Sequence, residues 1–341
     1  MVDKLVPNDP RVQSKTATIR GKTYHYLLAE PSTSPPVDTV ILLHGFPDLS
    51  FGWRYQVPAL LALNLRVIIP DNLGYGGTDA PVEVEPYSLK SLSDDIAGLI
   101  AHVCGTGVSV IVGGHDWGAG LAWRLALWHP KIVRAIFNAC VPYFPPREQY
   151  TPLKVIIGAG KLQNFKYQLQ FQGTDVEKEI QGKEKIRQFL NAIFGGKAPD
   201  GSYGFTTDDG VVFDKIAELQ QTPLVTPEEL DYYTEQIARN GIHGPLNWYR
   251  TGEISYKEEI ALLKKGLPGL RFNIPALFVA ASKDGALPPA MAQGMDEHFD
   301  RLTKVEIDAS HWVLWQGAEE FNQHLTNWLQ QAVLKPGKPA L

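Results

Sequence analysis

The amino-acid sequence predicts an α/β fold in which a mostly parallel central sheet is flanked by helices. Short apolar, β-branched runs of the kind that parallel sheets bury recur through residues 1–140 and again after residue 270. Helical patterns separate these runs, and strands that alternate with helices are typical of α/β proteins. Residues 145–266 show helical segments and aromatic residues without convincing strand alternation. We therefore expect a core domain (1–144 and 267–341) interrupted by a helical insertion at 145–266.

The core elements are predicted in order along the chain. The runs 17–20 and 22–28 flank Gly21 and predict a β-hairpin. Apolar residues from Leu89 to Val103 recur at helical spacing, and Ser88 precedes them as a candidate N-cap. A proline-rich run at 142–146 marks the start of the insertion. The remaining core elements are strands at 39–43, 66–70, 108–112, 132–139, 274–280 and 304–307, and a last amphipathic helix over 318–333.

Composition narrows the classes of function. The 341 residues are 44% hydrophobic and 20% charged, as in ordinary globular proteins. A net charge of −5 argues against nucleic acid or an anionic membrane as a partner, and no run is long enough to span a membrane. Neither Cys-x-x-Cys nor His-Glu-x-x-His occurs, so we expect no metal and no cofactor. Two isolated cysteines and an N-terminus without an apolar signal segment favour a cytoplasmic protein.

One hexapeptide carries the first functional signal. Residues 113–118 read Gly-Gly-His-Asp-Trp-Gly and lie between a predicted strand and a predicted helix, the layout of a nucleophile elbow. Glycines at 114 and 118 leave room for a turn in which a Cβ would collide with neighbouring backbone. A carboxylate at the centre of such a turn displaces a leaving group at saturated carbon and forms an alkyl ester with the enzyme. An aspartate at a strand–helix junction is also a common N-cap, so Asp116 alone leaves both interpretations open.

Two further residues decide between them. A covalent ester must be hydrolysed, which requires a base that activates water and an acid that orients the base. Asp284 directly follows the predicted strand 274–280, and His311 directly follows the strand 304–307. Both therefore lie at the carboxyl edge of the sheet, where open α/β sheets build their sites. Each residue alone is typical of a turn or a solvated loop, but together they predict a triad of Asp116, Asp284 and His311.

The motifs together resemble those of the soluble epoxide hydrolases of the α/β-hydrolase superfamily. The core motifs are His-Gly-Phe-Pro-Asp at 44–48, Gly-His-Asp-Trp-Gly at 114–118, Lys-Asp at 283–284 and Ser-His-Trp at 310–312. Two more lie in the insertion, Tyr-Gln-Leu-Gln-Phe-Gln at 167–172 and Gly-Pro-Leu-Asn-Trp-Tyr-Arg at 244–250. The resemblance covers most of the chain. It implies the α/β-hydrolase fold, with the insertion as a helical cap.

The resemblance also implies the site roles. Phe46 and Trp117 would form an oxyanion hole with their backbone N–H groups. Tyr167 and Tyr249 would face the nucleophile and hydrogen-bond the epoxide oxygen, which phenols with a pKa of ~10 can do while neutral. The implied substrate is a small apolar epoxide, aryl or lipid-like, with water as co-substrate. The residues expected to contact it are His115, Trp117, Phe171, Trp248 and Trp312.

Two alternatives accompany this interpretation. Haloalkane and haloacid dehalogenases of the same fold also use an aspartate nucleophile, and Trp117 could donate its indole N–H to a halide. They have no use for paired phenols, and the loop 44–48 lacks the asparagine that would complete a halide site. A haloacetate enzyme would be expected to carry an arginine beside Asp116, where this chain has Trp117. A non-catalytic ligand receptor on a hydrolase shell is the third possibility, although every expected catalytic group is present.

Overall fold

The computed structural model describes residues 2–334, except for the side chains of 267 and 268, so the predicted core residues 335–341 lie outside the described residues. Within this range there are ten strands. They are β1 Gln13–Ile19, β2 Lys22–Ala29, β3 Asp38–Leu43, β4 Leu65–Pro70, β5 Val110–His115, β6 Val133–Ala139, β7 Phe205–Thr206, β8 Gly210–Val211, β9 Ala276–Ala281 and β10 Leu302–Ile307.

Eight of the strands form one sheet in the order β1-β2-β4-β3-β5-β6-β9-β10. The pairs β1–β2 and β2–β4 are antiparallel, and every other pair is parallel. Every residue of the central strands β5 and β9 is buried, whereas the edge strand β10 buries only its last residue. The predicted α/β fold and mostly parallel sheet are confirmed.

The predicted hairpin is also confirmed. Strand β1 pairs with β2 from Gln13↔Leu28 to Ile19↔Lys22. Arg20 and Gly21, which connect them, both have positive φ, at 48° and 80°. A two-residue loop with positive φ at both positions matches the twist of the flanking strands, which is why glycine is favoured there.

Thirteen α-helices occur in the described part of the chain. They are α1 Gln56–Ala62, α2 Leu89–Cys104, α3 Trp117–Trp128, α4 Leu153–Gly158, α5 Tyr167–Gln172, α6 Asp175–Glu179, α7 Gly182–Ile193, α8 Pro227–Ile237, α9 His243–Asn247, α10 Gly252–Leu263, α11 Gly266–Gly269, α12 Val313–Gln316 and α13 Ala318–Trp328. Ser88 caps α2 as predicted, because its side chain accepts a hydrogen bond from the Ser91 N–H at 3.2 Å. The predicted last helix ends in a π-helical turn at Leu329–Val333.

The segment between β6 and β9 contains helices α4 to α11 and one feature that was not predicted. Strands β7 and β8 form a two-stranded antiparallel pair, so the expectation of an insertion without strands is wrong at this point. Each strand has only two residues, which is too short for an alternating pattern to be recognised.

Buried polar contacts join this segment to the core. The Arg54 guanidinium, which is fully buried beside α1, donates to the Glu229 carboxylate of α8 at 3.0 Å. The Tyr233 hydroxyl, one turn further along α8, donates to Asp48 at 2.7 Å. On the opposite flank, Arg124 of α3 pairs with Glu259 of α10 at 2.6 Å. Paired charges of this kind fix α8 and α10 in position over the sheet, since breaking one would remove a buried partner; Glu229 would retain Lys4 at 2.7 Å.

No helix among residues 2–334 is both long enough and apolar enough to cross a membrane.

Candidate active site

Asp116 occupies the turn between β5 and α3. It has φ +52° and ψ −127°, a backbone conformation that residues other than glycine rarely adopt. Strand β5 extends through His115, three residues beyond the predicted end, so the whole chain reversal falls on this one residue. The strained backbone places the carboxylate above the carboxyl edge of the sheet, as a nucleophile elbow requires.

Three glycines make this turn possible. A Cβ on Gly118 would collide with the Leu43 carbonyl, and one on Gly114 would collide with the backbone of α3. A Cβ on Gly45 would occupy the space of the Asp116 side chain itself. The predicted need for glycine at 114 and 118 is therefore confirmed. Gly45 adds the same requirement on the facing loop.

A backbone donor holds one oxygen of the Asp116 carboxylate. The Phe46 N–H donates to Oδ1 at 2.7 Å. Burial raises the pKa of Asp116 above its usual value, while the neighbouring His311 and the N–H groups of Phe46 and Trp117 oppose that rise. Of the two predicted oxyanion-hole amides, Phe46 is hydrogen-bonded to Oδ1 and Trp117 lies next to Asp116 in the chain, while Oδ2 faces His311.

Asp284 is hydrogen-bonded to His311, and His311 in turn faces Asp116. Asp284 follows β9 and His311 follows β10, and His311 Nδ1 lies 2.7 Å from Asp284 Oδ2. The other Asp284 oxygen accepts the N–H groups of Ala286 and Leu287, each at 2.9 Å. His311 Nε2 lies 3.5 Å from Asp116 Oδ2. The three side chains predicted as a triad therefore meet at the carboxyl edge of the sheet.

The charges of these three groups are mutually dependent. Burial raises the pKa of Asp284, but the charge of His311 and the hydrogen bonds outweigh burial and lower that pKa to about 2. Burial lowers the pKa of His311, but the Asp284 carboxylate outweighs it and holds that pKa well above the ordinary range. The Asp284 charge therefore favours the protonated form of His311, while burial disfavours the charged form of Asp116.

Tyr167 and Tyr249 meet above Asp116 although they are far apart in the chain. Tyr167 begins α5, and Tyr249 lies in a short turn after α9. Their ring centroids are 6.3 Å apart, and the Tyr249 ring packs edge-on against Trp117 at 5.2 Å. Burial, followed by the nearby Asp116 charge, raises the pKa of Tyr167, and the same two causes contribute to raising that of Tyr249. Both phenols are therefore protonated donors at neutral pH.

Asp116 and Tyr167 lie between two cavities. The main cavity has a volume of about 640 Å³, and its walls combine the catalytic groups with apolar side chains of the segment between β6 and β9. The rear cavity, of about 220 Å³, lies on the Trp117 side of the same two residues. Trp117, Phe165 and Gln168 are shared between the rear cavity and a third, outer cavity of about 670 Å³.

The aromatic residues expected to contact substrate divide into two groups. Phe171 and Trp312 line the main cavity, and Trp117 lines the rear one. Trp248 is only 1% exposed and lines neither. Its indole N–H donates to the Leu73 carbonyl at 2.9 Å. Trp248 therefore does not line these cavities, which corrects the expectation. Its hydrogen bond instead attaches to the core the turn on which Tyr249 lies.

His115 requires a similar correction. It is 1% exposed, and its Nε2 lies 2.9 Å from the backbone carbonyl of His311, so it contacts the triad from behind rather than the cavity. Burial lowers the pKa of His115 to about 3, so the ring is neutral and donates this hydrogen bond. The Cys140 thiol approaches the same carbonyl at 3.4 Å. The two side chains together fix the His311 loop.

The side chains of His115, Cys140 and His311 also form the one cluster of possible metal ligands among residues 2–334, with ligand atoms within 4.8 Å of one another. Burial raises the pKa of the Cys140 thiol to about 12, and the thiolate is the form that binds metal. His311 Nδ1 is already bound to Asp284. In this arrangement His115 and Cys140 hydrogen-bond the His311 carbonyl, and the His311 ring hydrogen-bonds Asp284.

Comparison with known proteins identifies the family. Residues 40–324 match the alpha/beta hydrolase family. Over 340 residues the sequence is 46% identical to epoxide hydrolase srdG of Neurospora crassa, a match that covers 96% of this chain and 98% of that protein. The chain belongs to the epoxide hydrolases of the alpha/beta hydrolase family.

Other epoxide hydrolases support the same placement. The sequence is 34% identical to bifunctional epoxide hydrolase 2 of Mus musculus over 97% of this chain and 57% of the mouse protein. The crystal structure of epoxide hydrolase A from Mycobacterium thermoresistibile superposes with a TM-score of 0.77 at 29% identity, covering 94% of this chain and 98% of that one. The predicted resemblance is confirmed over core and insertion together.

One buried group of this epoxide hydrolase family member had no predicted role. Asp48, the last residue of the motif at 44–48, is buried beneath the site, and burial raises its pKa to about 7. The Tyr233 hydroxyl donates to its Oδ1 at 2.7 Å, whereas its Oδ2 has no partner among the described residues. The motif placed Asp48 near the site, but its partner comes from α8, which sequence spacing does not reveal.

Proposed function

We propose that the protein hydrolyses apolar epoxides to vicinal diols through a covalent ester on Asp116. The observation that carries this proposal is the placement of Asp116. Phe46 holds one of its oxygens and His311 faces the other. Two protonated tyrosines line the same cavity as Asp116. The named relatives, which are epoxide hydrolases, support the same activity.

In the first step, Oδ2 of Asp116 attacks an epoxide carbon and the ring C–O bond breaks. Oδ2 is the attacking atom because Oδ1 is engaged by the Phe46 N–H. The phenols of Tyr167 and Tyr249 donate to the ring oxygen as it becomes an alkoxide and supply its proton. Burial disfavours phenolate at both positions, so the donor must be reprotonated. In the proton balance the step leaves a neutral ester, a hydroxyl group and a neutral His311.

The loss of charge on Asp116 prepares the second step. Before the reaction a carboxylate oxygen lies 3.5 Å from His311 Nε2 and stabilises the imidazolium. Once that oxygen is esterified, the stabilisation is lost, and the neutral imidazole can accept a proton. Asp284 continues to hold Nδ1, so Nε2 is the nitrogen that is free to act.

In the second step, His311 removes a proton from water and the resulting hydroxide attacks Cγ of Asp116. Oδ1 then carries the negative charge of the tetrahedral intermediate, next to the Phe46 amide that already binds it and near the Trp117 amide. Each such donor is typically worth roughly 3–4 kcal/mol. Collapse of the intermediate expels the diol oxygen, which takes the proton from His311. Asp116 then passes its own proton to His311 and restores the ion pair.

We also propose that residues 145–266 form a cap domain over a core of 1–144 and 267–341. Support comes from the chain topology, because the segment contributes no strand to the eight-stranded sheet. Its side chains Tyr167, Phe171 and Tyr249 form the wall of the main cavity opposite Asp116. A cap of this kind excludes water from the alkylation step.

A direct experiment tests the reaction. Aryl and fatty-acid epoxides are incubated with the enzyme beside haloalkanes, with detection of both diol and halide. Single turnover in ¹⁸O water should place the label in the Asp116 carboxylate, because water attacks the ester at Cγ. Label that enters the diol directly would rule out the covalent ester. Halide release without diol formation would assign the site to a dehalogenase, and ligand binding without either product would indicate a receptor.

We propose a cytoplasmic location for the protein. Cys104 and Cys140 are both free, as is usual in reducing compartments. Fractionation of the source cells with an antibody to this protein tests the proposal, and recovery from a secreted or organelle fraction would contradict it.

A further inference from the structure

The segment from 147 to 166, at the start of the proposed cap, lacks a buried side chain. All twenty residues are exposed or half-buried, although the segment contains six large apolar side chains. These are Leu153, Val155, Ile156, Ile157, Leu162 and Phe165. Val155 is 52% exposed, and helix α4, on which it lies, has no buried residue. Apolar side chains clustered in this way on a surface that faces water commonly mark an interaction site.

The same segment is basic in an acidic protein. It carries Arg147, Lys154, Lys161 and Lys166 against one acid, Glu148, whereas the whole chain has a net charge of −5. None of the four basic side chains forms a salt bridge in the described structure.

The acids on the facing helix α10 do not neutralise this charge. Glu253 pairs with Lys257 at 2.7 Å, and Glu259 pairs with Arg124 at 2.6 Å. Glu258, the third acid of α10, lies near Ser88 and Lys90 and does not line the outer cavity. The whole-chain charge therefore conceals a local positive face, which we call the 147–166 face.

This face also borders a path toward the nucleophile. Leu153, Ile156 and Leu162 line the outer cavity, which shares Trp117 and Phe165 with the rear cavity. Asp116 lies on the wall of the rear cavity. The 147–166 face is therefore separated from the reacting carboxylate only by two neighbouring cavities that share these side chains.

We infer that the 147–166 face docks on anionic lipid surfaces, so that apolar epoxides pass from the lipid into the outer cavity. Partly exposed apolar side chains with lysines among them suit the boundary between headgroups and acyl chains. Lysines near such a surface are attracted by its negative potential. The docking stands on the face alone. Delivery of substrate rests on the proposed function.

Charge favours this occupant over a second copy of the chain. Two copies that met through this face would bring eight basic groups together, which costs free energy unless acids intervene. An anionic bilayer offers the opposite charge and an apolar interior at the same surface. The net charge of −5 then keeps the rest of the molecule away from the membrane and orients the contact.

Vesicle flotation tests the docking. The intact protein is mixed with vesicles of phosphatidylcholine alone or with about one third phosphatidylserine, at low salt and at ~0.5 M salt, where the Debye length falls to a few ångströms. We expect flotation with phosphatidylserine vesicles at low salt and its loss at high salt. Equal flotation with both lipids, or none with phosphatidylserine, would overturn the inference.

Two variants locate the contact. K154E/K161E/K166E should lower the vesicle-bound fraction by roughly tenfold or more, and V155D should lower it several-fold. A matched control, K15E/K131E/K185E, makes the same change in charge at exposed positions outside the face and should float better than the 147–166 triple variant by a similar factor. All these side chains are exposed, so folding is preserved, which circular dichroism can verify. Equal binding by the two triple variants would contradict the assignment.

An activity measurement separates docking from catalysis. Turnover of a long-chain epoxide embedded in phosphatidylserine vesicles should fall in K154E/K161E/K166E, while turnover of a small water-soluble epoxide should match wild type. If the wild-type protein turned over neither epoxide, the proposed function would be refuted, and the flotation result would still stand. Concentration-dependent dimers that V155D abolishes would assign the face to self-association and overturn the lipid inference.

Discussion

The core and the segment over it contribute different chemistry to one site. Core loops after β5, β9 and β10 supply Asp116, Asp284 and His311, which carry the charges of the reaction. The segment supplies two phenols and apolar walls. Among its described residues, Lys197 is the charged one that lines the main cavity. Charged groups must be held to within a fraction of an ångström, and rigid strand ends hold them. The neutral donors and walls lie on short helices and turns that can differ without disturbing the sheet.

This division predicts that damage to the core stops the reaction at a defined step, whereas damage to the cap weakens a step or changes the substrate. Variants of each region, compared at the level of single steps, can break or sharpen this contrast.

The largest effect is expected in the core. Asp116→Asn removes the nucleophile, so kcat should fall by about 10⁴-fold or more. His311→Gln should instead leave alkylation possible and block hydrolysis, so that intact mass shows the protein plus one substrate. A His311→Gln enzyme that turns over at the wild-type rate, without an adduct, would remove histidine from the mechanism.

The next largest effect is expected in the cap. Replacing Tyr167 and Tyr249 together with phenylalanine removes both donors to the developing alkoxide, so the alkylation rate should fall by about 10³-fold. Each single replacement should retain part of the rate because the other phenol remains. Trp312→Phe, which keeps an aromatic wall, is a suitable control. Full alkylation by the double variant would refute the role of the tyrosines.

The pH dependence probes the core alone. Alkylation requires the Asp116 carboxylate, whose pKa burial raises, so its rate should fall on acidification at a higher pH than for an ordinary aspartate. Ester hydrolysis requires neutral His311, whose pKa Asp284 holds high against the lowering effect of burial. Asp284→Asn should therefore move the pH midpoint of hydrolysis toward acid by about one unit or more while slowing the step. A midpoint that is unchanged in rapid-quench kinetics would contradict this coupling.

The smallest effects concern the joint between the two regions. Arg54→Ala removes the fully buried partner of Glu229 but leaves Lys4 at 2.7 Å from it, so it should lower the free energy of unfolding by about 2 kcal/mol, less than for a buried charge left unpaired. Thr226→Ala removes the capping box of α8 but keeps the ion pair, and should cost about 1 kcal/mol. Denaturant unfolding measures both. Equal costs would mean that the ion pair does not join the regions.

The core was largely predictable because its signals are local. Buried strands recur with a short period, and the residues that follow strands β5, β9 and β10 must share one sheet edge. Asp116, Asp284 and His311 were found in this way. The two-residue strands β7 and β8 were not, because no pattern can register over that length.

In the proposed cap, site residues were predictable only where the surrounding motif resembles that of known proteins. Tyr167 and Tyr249 were recognised from the residues around them, since helical spacing alone does not distinguish a donor from a packing aromatic. The same reasoning failed for Trp248 and His115, which are aromatic and lie beside site residues but face inward. Their partners, the carbonyls of Leu73 and His311, belong to distant parts of the chain.

The sequence by itself determined the fold class and placed the proposed nucleophile and triad at strand ends, because each depends on residue types at fixed distances from a strand end. Only the tertiary structure decided which oxygen of Asp116 accepts the Phe46 N–H and which faces His311, and that Asp284 hydrogen-bonds His311 and raises its pKa. It also decided which aromatic side chains line a cavity and which pack behind one. These properties depend on burial and on distances between atoms that the chain brings together only when it folds.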